Sequence, residues 1–343
     1  MLKTRRVTEH VKISPYTTIQ VGGEVDYFAV ASTPEVVKEL CDWATGQSIP
    51  VFVLGEGSNI VVSDEPVHRL VLKVEISGLK KMADTKDSLT LEIGAGEHWD
   101  SVVERTVKLG LAGIEAMSAI PGTAGAAPVQ NAGAYGQEIA DTLVSVDAYD
   151  METKKFVSIA AADCGFDYRT SRFKTEAAGR YVITYVTLKL SKKDPAKPTY
   201  ESLKRYLDEN HIEHPDVQQI REGVMAVRAR ILPDPSVVPN AGSFFKNPIV
   251  GADKLAELER RFPKVPSYRY GDGYKIAAGW IVEQCGFKGS EHFGLKIWPH
   301  QALVITNPNG ASYKDLVQLV DLVTKAVQDK FGITLEPEPQ FIS

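Results

Sequence analysis

Ile120-Pro-Gly-Thr-Ala-Gly-Ala-Ala-Pro-Val-Gln-Asn-Ala-Gly-Ala-Tyr-Gly136 runs seventeen residues without a charge. Four glycines and five alanines strip it close to bare main chain, with Gln130 and Tyr135 as its long side chains. Such a stretch offers little side-chain surface for a core. Glycine lets a backbone approach its neighbour closely and tolerates positive φ. Loops of this kind also make concave, anion-binding sets of N–H groups. A loop this uncharged has to be covered by something, and a large flat ligand fits. A second strip, Leu54-Gly-Glu-Gly-Ser-Asn59, follows the apolar run Val51–Leu54. Together the two strips predict an extended, phosphate-bearing cofactor.

The flanking pattern argues against the dinucleotide-binding fold. The Leu54–Asn59 strip lacks GxGxxG spacing, and the segment after it, Ile60–Val62, reads as a strand where that fold needs a helix. Thr33-Pro34 predicts an N-cap followed by an N1 proline. Val36, Val37, Leu40, Cys41 and Ala44 then form one helical stripe that Gly46 ends. Residues 70–76 and 89–93 read as strands and 99–109 as a short helix. Residues 143–149 and 156–159, joined by the turn 151–154, form a hairpin. Residues 181–190 alternate with Val182, Thr184, Val186, Leu188 and Leu190 on one face. The polar, proline-bearing segment 191–198 predicts a domain boundary. Beyond it, residues 215–230, 276–285 and 312–331 carry helical patterns, the last with a capping-box variant at Ser312 and Asp315. Leu303–Ile305 reads as a strand. The expected class is α+β.

With 343 residues the chain exceeds one core. A net charge of −5 argues against nucleic acid as the main partner. Three cysteines, Cys41, Cys164 and Cys285, form no CxxC pair and predict reduced thiols in a cytoplasmic protein. Met1–Arg6 is basic but no apolar stretch follows, so a signal peptide is not expected, and no window is apolar enough for a membrane span. Of seven histidines only His211 and His214 stand close, a weak metal pattern set against an ordinary solvated segment. No metal is expected.

Three further segments carry candidate chemistry. In residues 166–174, Arg169 is flanked by Tyr168 and lies near Phe166 and Phe173. A half-buried guanidinium there needs an anionic partner, whereas Arg172 and Lys174 read as a solvated turn. In residues 240–248, Gly242 gives Ser243 backbone freedom and Phe244-Phe245 anchors the segment. Taken alone, Ser243 is an ordinary polar residue, because no GxSxG elbow accompanies it. In Leu335-Glu-Pro-Glu-Pro339 the prolines bias both glutamates toward extended geometry. Phe341-Ile342 suggests that this tail docks.

In chain order, Leu54–Asn59, Ile120–Gly122, Gln130–Gly136, Tyr168-Arg169, Leu232-Pro-Asp234, Gly242–Pro248, Ala277–Trp280, Gln301-Ala302 and Leu335–Glu338 resemble the UDP-N-acetylenolpyruvoylglucosamine reductases (UDP-N-acetylmuramate dehydrogenases). The resemblance covers nearly the whole chain. It implies an FAD-binding module of the vanillyl-alcohol-oxidase type, in two subdomains, plus a C-terminal α+β substrate domain. The implied spans are residues 1–70 and 71–192 for the subdomains and 205–331 for the substrate domain, with the tail 332–343 docking on the first. It also implies noncovalent FAD, since no histidine or cysteine stands in the matched strips, and NADPH as hydride donor. The implied reaction reduces the enolpyruvyl ether of UDP-N-acetylglucosamine, with hydride delivered to C3 from reduced flavin and a proton to C2. It serves peptidoglycan synthesis. NADPH and the UDP sugar would share one site in a monomer.

By the same resemblance, Arg169, Ser243 and Glu338 are catalytic. Arg169 stabilises charge growing on the substrate carboxylate, Ser243 donates the proton, and Glu338, protonated, hydrogen-bonds the enolate. Gly55, Glu56, Gly57, Ser58, Asn59, Pro121, Gly122, Thr123, Gly125, Ala126, Asn131, Gly133, Ala134, Tyr135, Gly136 and Ile183 are the implied FAD contacts. Tyr168, Tyr200, Arg228, Asn247, Lys275 and Gln301 are the implied substrate contacts, Tyr200 on a mobile loop of the larger subgroup. One position departs from the pattern. Ile231 stands where many relatives carry a lysine, and Arg228 or Arg230 would have to compensate from a segment expected to be extended, where neighbours alternate sides. Two other readings stay open on these residues: an oxidase of the same cofactor-binding superfamily, and a flavin- or nucleotide-sugar-binding protein without turnover.

Overall fold

The computed structural model describes residues 6–343; the basic run ahead of Arg6 lies outside the described residues. The chain divides into two compact units. The first holds residues 25–56 and 68–229 with the N-terminal strand; the second holds residues 12–24, 57–67 and 230–343.

In the first unit, Val7–Lys12, Glu24–Ala31, Val67–Val74 and Val51–Leu54 form a four-stranded sheet in that order. The last two strands run parallel. Helix α1 (Pro34–Gly46) starts as its sequence requires: Thr33 Oγ1 accepts the Val36 N–H at 3.3 Å and Pro34 sits at N1. Its five predicted apolar residues are all buried. A second, antiparallel sheet has the order Lys155–Ala160, Leu143–Asp150, Tyr181–Ser191, Ser88–Gly94, Leu79–Asp84. Val182, Thr184, Val186, Leu188 and Leu190 are buried, as the alternation predicts, and Ile183 between them is buried too. Helix α2 (Trp99–Lys108) contributes Trp99, Val102, Val103 and Val107 to the same core. Two more helices, α3 (Glu201–Glu209) and α4 (Val217–Ile231), follow the polar segment after residue 191, and both fall with this unit up to Ala229. Sequence periodicity showed α4 but not α3, whose hydrophobic stripe is only Leu203 and Leu207.

In the second unit a mixed-length antiparallel sheet runs Asn240–Ser243, Val304–Thr306, Leu295–Ile297, Glu291–His292. A three-stranded sheet runs Ile249–Val250, Gly273–Ile276, Ser267–Tyr270. Helices α5 (Ala252–Arg261), α6 (Ala278–Gln284) and α7 (Tyr313–Phe331) pack their apolar faces into one core with Phe244, Phe245 and Ile305. The expected helix over 276–285 is shorter than its pattern, because Ile276 ends a strand instead. The capping box at α7 is complete: Ser312 Oγ accepts the Asp315 N–H and the Asp315 carboxylate accepts the Ser312 N–H at 2.9 Å. The C-terminal segment docks: Gln340–Ile342 pairs in parallel with Ile60–Val62.

One ion pair sets the edge of the five-stranded sheet. Asp150, buried at the end of its strand, takes Arg180 Nε at 3.0 Å and Nη2 at 2.7 Å, and its Oδ1 also accepts the Glu152 N–H of the turn. The Arg180 hydrogen bonds pull its pKa down to about 2, below the unfolded value of about 3.9. The pair therefore stabilises the fold fully above about pH 4, and that contribution fades as pH falls toward 2. Asp150→Asn is expected to lower stability at pH 7 and to flatten its decline between about pH 4 and 2, read from urea midpoints across that range.

Candidate functional site

In the first unit Leu54–Glu56, the start of its glycine-rich strip, is joined to the long strip by one side chain. Glu56 Oε2 accepts the Gly122 N–H at 2.6 Å, while Oε1 meets His98 Nδ1. The Gly55 backbone also packs against the Thr123 and Ala126 side chains of the long strip. A Cβ at Gly55 would lie 2.7 Å from Thr123 Oγ1, so only glycine fits there. Part of the glycine content therefore serves this close approach within the protein and not a ligand. Ala124, Ala127 and Ala132 of the long strip are likewise buried in the unit's core. The amides of Gly55 and Glu56 donate to no other described residue.

The long strip is held in unusual backbone geometry at several non-glycine positions. Ala119 (φ 57°), Asn131 (φ 48°) and Tyr135 (φ 51°) all lie in the left-handed region, as does Arg169 (φ 53°). Each is fixed by neighbours. The Ala119 N–H donates to Asp100 Oδ1 at 2.6 Å. Asn131, 1% exposed, donates to Glu138 Oε2 at 2.7 Å and to the Asp167 carbonyl at 3.2 Å. Tyr168 and Arg169 form the tip of a tight turn in which Asp167 and Thr170 exchange backbone hydrogen bonds at 3.2 Å. Arg169 Nη2 donates to the Gly133 carbonyl at 2.7 Å. The turn thus brings Arg169 onto the end of the long strip, where Asn131, Gly133, Ala134, Tyr135 and Gly136 lie. Tyr200, at the start of α3, sets its ring edge-on to Tyr135 at 5.1 Å. Burial raises the Tyr135 pKa, an effect that the nearby Arg228 guanidinium opposes, and burial lowers that of Arg228. Clustered non-glycine left-handed residues mark sites where the surrounding fold over-determines the backbone. Ile183 lies in the core of the central sheet, 5% exposed.

The second unit assembles a different group. Gly242 (φ 69°) breaks the register between Asn240 and Ser243, a bulge that the Asn240 side chain braces by accepting the Gly242 N–H at 2.9 Å. Ser243 emerges from it exposed. The next residues are zipped to the C-terminal segment. The Glu338 N–H donates to the Phe244 carbonyl at 2.8 Å, and the Lys246 N–H to the Glu336 carbonyl at 2.9 Å. Asn59 Nδ2 donates to the Glu338 carbonyl at 3.4 Å. Ser243, Glu338 and Asn59, separate in sequence, are thereby neighbours. Asn247 is partly committed to structure, its Oδ1 accepting the first N–H of α6 at 2.9 Å. Gln301 Oε1 accepts the Leu303 N–H at 3.2 Å. Lys275 lies 3.8 Å from the Tyr270 ring centroid. Ile231 ends a helix, not an extended segment, so Arg228 precedes it by almost one turn.

No group of three or more His, Cys, Asp or Glu among the described residues could hold a metal. Burial raises Cys41 to about 12 and Cys164 to about 11, so neither is a thiolate at neutral pH. No described helix is long and apolar enough to cross a membrane.

Comparison with known proteins now decides the family. Residues 234–342 match the model of the UDP-N-acetylenolpyruvoylglucosamine reductase C-terminal domain, and residues 25–157 match an FAD-binding domain. A UDP-N-acetylenolpyruvoylglucosamine reductase of Ralstonia nicotianae is 42% identical over 97% of this chain and 98% of its own. The chain belongs to the UDP-N-acetylenolpyruvoylglucosamine reductase family. The enzyme of that name from Cupriavidus pinatubonensis is 40% identical over 93% of this chain and 91% of its own. The crystal structure of the Thermus caldophilus reductase superposes with a TM-score of 0.68 at 25% identity, covering 98% of this chain and 99% of that one.

Sequence reasoning missed Asp100, His98, Glu115 and Arg221, none of which sits in a glycine-rich motif. Buried Glu115 accepts the Gly113 N–H at 2.6 Å and holds Gln137 at 2.9 Å. The available signal was the charge pattern on α2 and α4, where Asp100 and Arg221 interrupt otherwise apolar faces. Asn131→Ala is expected to destabilise the first unit by about 2–4 kcal/mol, from lost buried hydrogen bonds and a Cβ without Asn's tolerance of positive φ. Denaturant unfolding followed by tryptophan fluorescence reads it.

Proposed function

We propose that this chain is an FAD-dependent oxidoreductase that reduces the enolpyruvyl ether of UDP-N-acetylglucosamine to UDP-N-acetylmuramate for peptidoglycan synthesis, with NADPH as hydride donor. Full-length family membership carries this reading, and the fit of the residues to the cofactor supports it. The free amides of Gly55 and Glu56 suit a diphosphate. The remaining contacts would come from Gly57, Ser58 and Asn59 and from Pro121, Gly122, Thr123, Gly125, Ala126, Asn131, Gly133, Ala134, Tyr135 and Gly136, with Ile183 beneath. Neither strip contains a cysteine or histidine for a covalent link. Bound FAD supplies the two-electron chemistry that no side chain here offers.

The chain's own residues then have three tasks. Arg169, locked at the turn tip, presents a permanent positive charge to the substrate carboxylate as negative charge grows on it. Ser243, raised on its bulge, delivers a proton to C2. Glu338, one backbone hydrogen bond from the residue after Ser243, contributes a hydrogen bond to the same carboxylate in its protonated form. Tyr168, Tyr200, Arg228, Asn247, Lys275 and Gln301 bind the UDP sugar in this reading, with Arg228 supplying charge one helical turn before Ile231. Its three-part division stays as residues 1–70, 71–192 and 205–331, with the tail 332–343 beside the first. NADPH and the UDP sugar take turns in one site, and the enzyme works as a cytoplasmic monomer.

Ser243→Ala is expected to leave bleaching of the flavin by NADPH intact. Recolouring by the anaerobic enolpyruvyl substrate should slow about 10²–10⁴-fold, the range for loss of a proton donor. Unchanged recolouring removes Ser243 from the reaction. Glu338→Gln keeps a hydrogen-bond donor and loses the titratable proton. It is expected to slow the same half-reaction; a defect confined to NADPH oxidation contradicts the role given.

A further inference from the structure

Helix α4 reaches both ends of the long strip, one through Arg221 and the other through its apolar face. Arg221, 7% exposed, forks onto Asp100 of α2 through Nη1 at 2.6 Å and Nη2 at 2.9 Å. The same Asp100 Oδ1 accepts the Ala119 N–H at 2.6 Å, just before the strip begins. At the other end, Tyr135 packs against the apolar face of the same helix. The helix is seated for this task by apolar packing. Ile220 and Val224 share a small core with Leu203, Leu207 and Ala116, and Tyr135 packs on it. A Cβ at Gly223 would lie 2.8 Å from Leu203 Cδ1 and from Tyr206 Cδ1, so α3 and α4 approach closely only because that residue is glycine.

We propose that α4 is a positioning element for the cofactor strip: Arg221 fixes its entry through Asp100 and the Ala119 N–H, and the apolar face of the helix seats its exit by packing against Tyr135. The proposal rests on the reading that this strip holds FAD. Arg221 is not required to touch the cofactor. The physical reason is geometric. Ala119 and Tyr135 both occupy left-handed backbone, which a non-glycine residue leaves readily unless held. Between them the strip has almost no side chains with which to hold itself. A bidentate guanidinium–carboxylate fork fixes orientation as well as charge, and Asp100 passes that orientation to the Ala119 amide. A burial penalty on the Asp100 carboxylate is outweighed by Arg221 and the Ala119 N–H, so its pKa stays below the usual range and the fork is ionised at neutral pH.

The test compares Arg221→Met with Arg180→Met. The second variant breaks the bidentate pair with Asp150 in the same unit; Arg180 also meets Glu152 and the Tyr181 ring, which lie outside the strip. FAD is titrated into flavin-stripped protein. Affinity is read from quenching of flavin fluorescence, strip geometry from the visible circular dichroism of the bound flavin, and stability from thermal melts without FAD. Both variants are expected to melt lower than the wild type. Only Arg221→Met is expected to weaken FAD at least about tenfold and alter the flavin dichroism. Arg221→Lys, which keeps the charge but not the fork, should fall between and serves in its place should Arg221→Met fail to fold. Wild-type affinity in the folded Arg221 variants, or equal loss in Arg180→Met, overturns the proposal. Wild-type protein that binds no FAD overturns the functional reading as well.

Discussion

A single carboxylate joins the two glycine-rich stretches on which the site depends. Glu56, within Leu54–Asn59, takes the Gly122 N–H of the long strip. Without it, two segments nearly bare of side chains would be held only by close packing. The arrangement explains why a charged residue sits in the middle of Leu54–Asn59, a stretch otherwise small and neutral. The carboxylate is spent within the protein, which keeps its negative charge engaged with an amide and an imidazole beside donors suited to a diphosphate.

The second unit solves a related problem with backbone alone. Ser243 and Glu338 stand far apart in sequence, yet two main-chain hydrogen bonds align the segments that carry them. Main-chain pairing sets the positions of both residues. The bulge at Gly242 does the rest by turning Ser243 out of its sheet.

Most of the fold was legible because its signals are local. The α1 stripe, the 143–159 hairpin and the α7 capping box each depend on residues within one or two turns of each other. Helix α3 was not legible, because two leucines in nine residues make too narrow a stripe. The end of the strand at Ile276 was not either, since a β-to-α junction inside an apolar run leaves no periodicity to read. The strips were legible as unusual composition, and the family pattern gave their meaning. What composition could not reveal is that several of the glycines face other parts of the protein. Nor could it reveal the Arg221–Asp100–Ala119 chain, which links residues about a hundred positions apart and exists only once α2 and α4 have packed.

The second unit is discontinuous along the polypeptide, with residues 68–229 intervening between two of its pieces. The Thr18 hydroxyl donates to the Asn240 carbonyl at 2.7 Å across 222 positions, and Asn307 donates to the Ile19 carbonyl across 288. Closing loops of that size from an unstructured chain is entropically unfavourable, and non-local pairing slows folding. Prior collapse of the intervening 68–229 stretch shortens the effective loop. The topology thereby favours condensation of the inserted segment before Thr18 meets Asn240 and Ile19 meets Asn307.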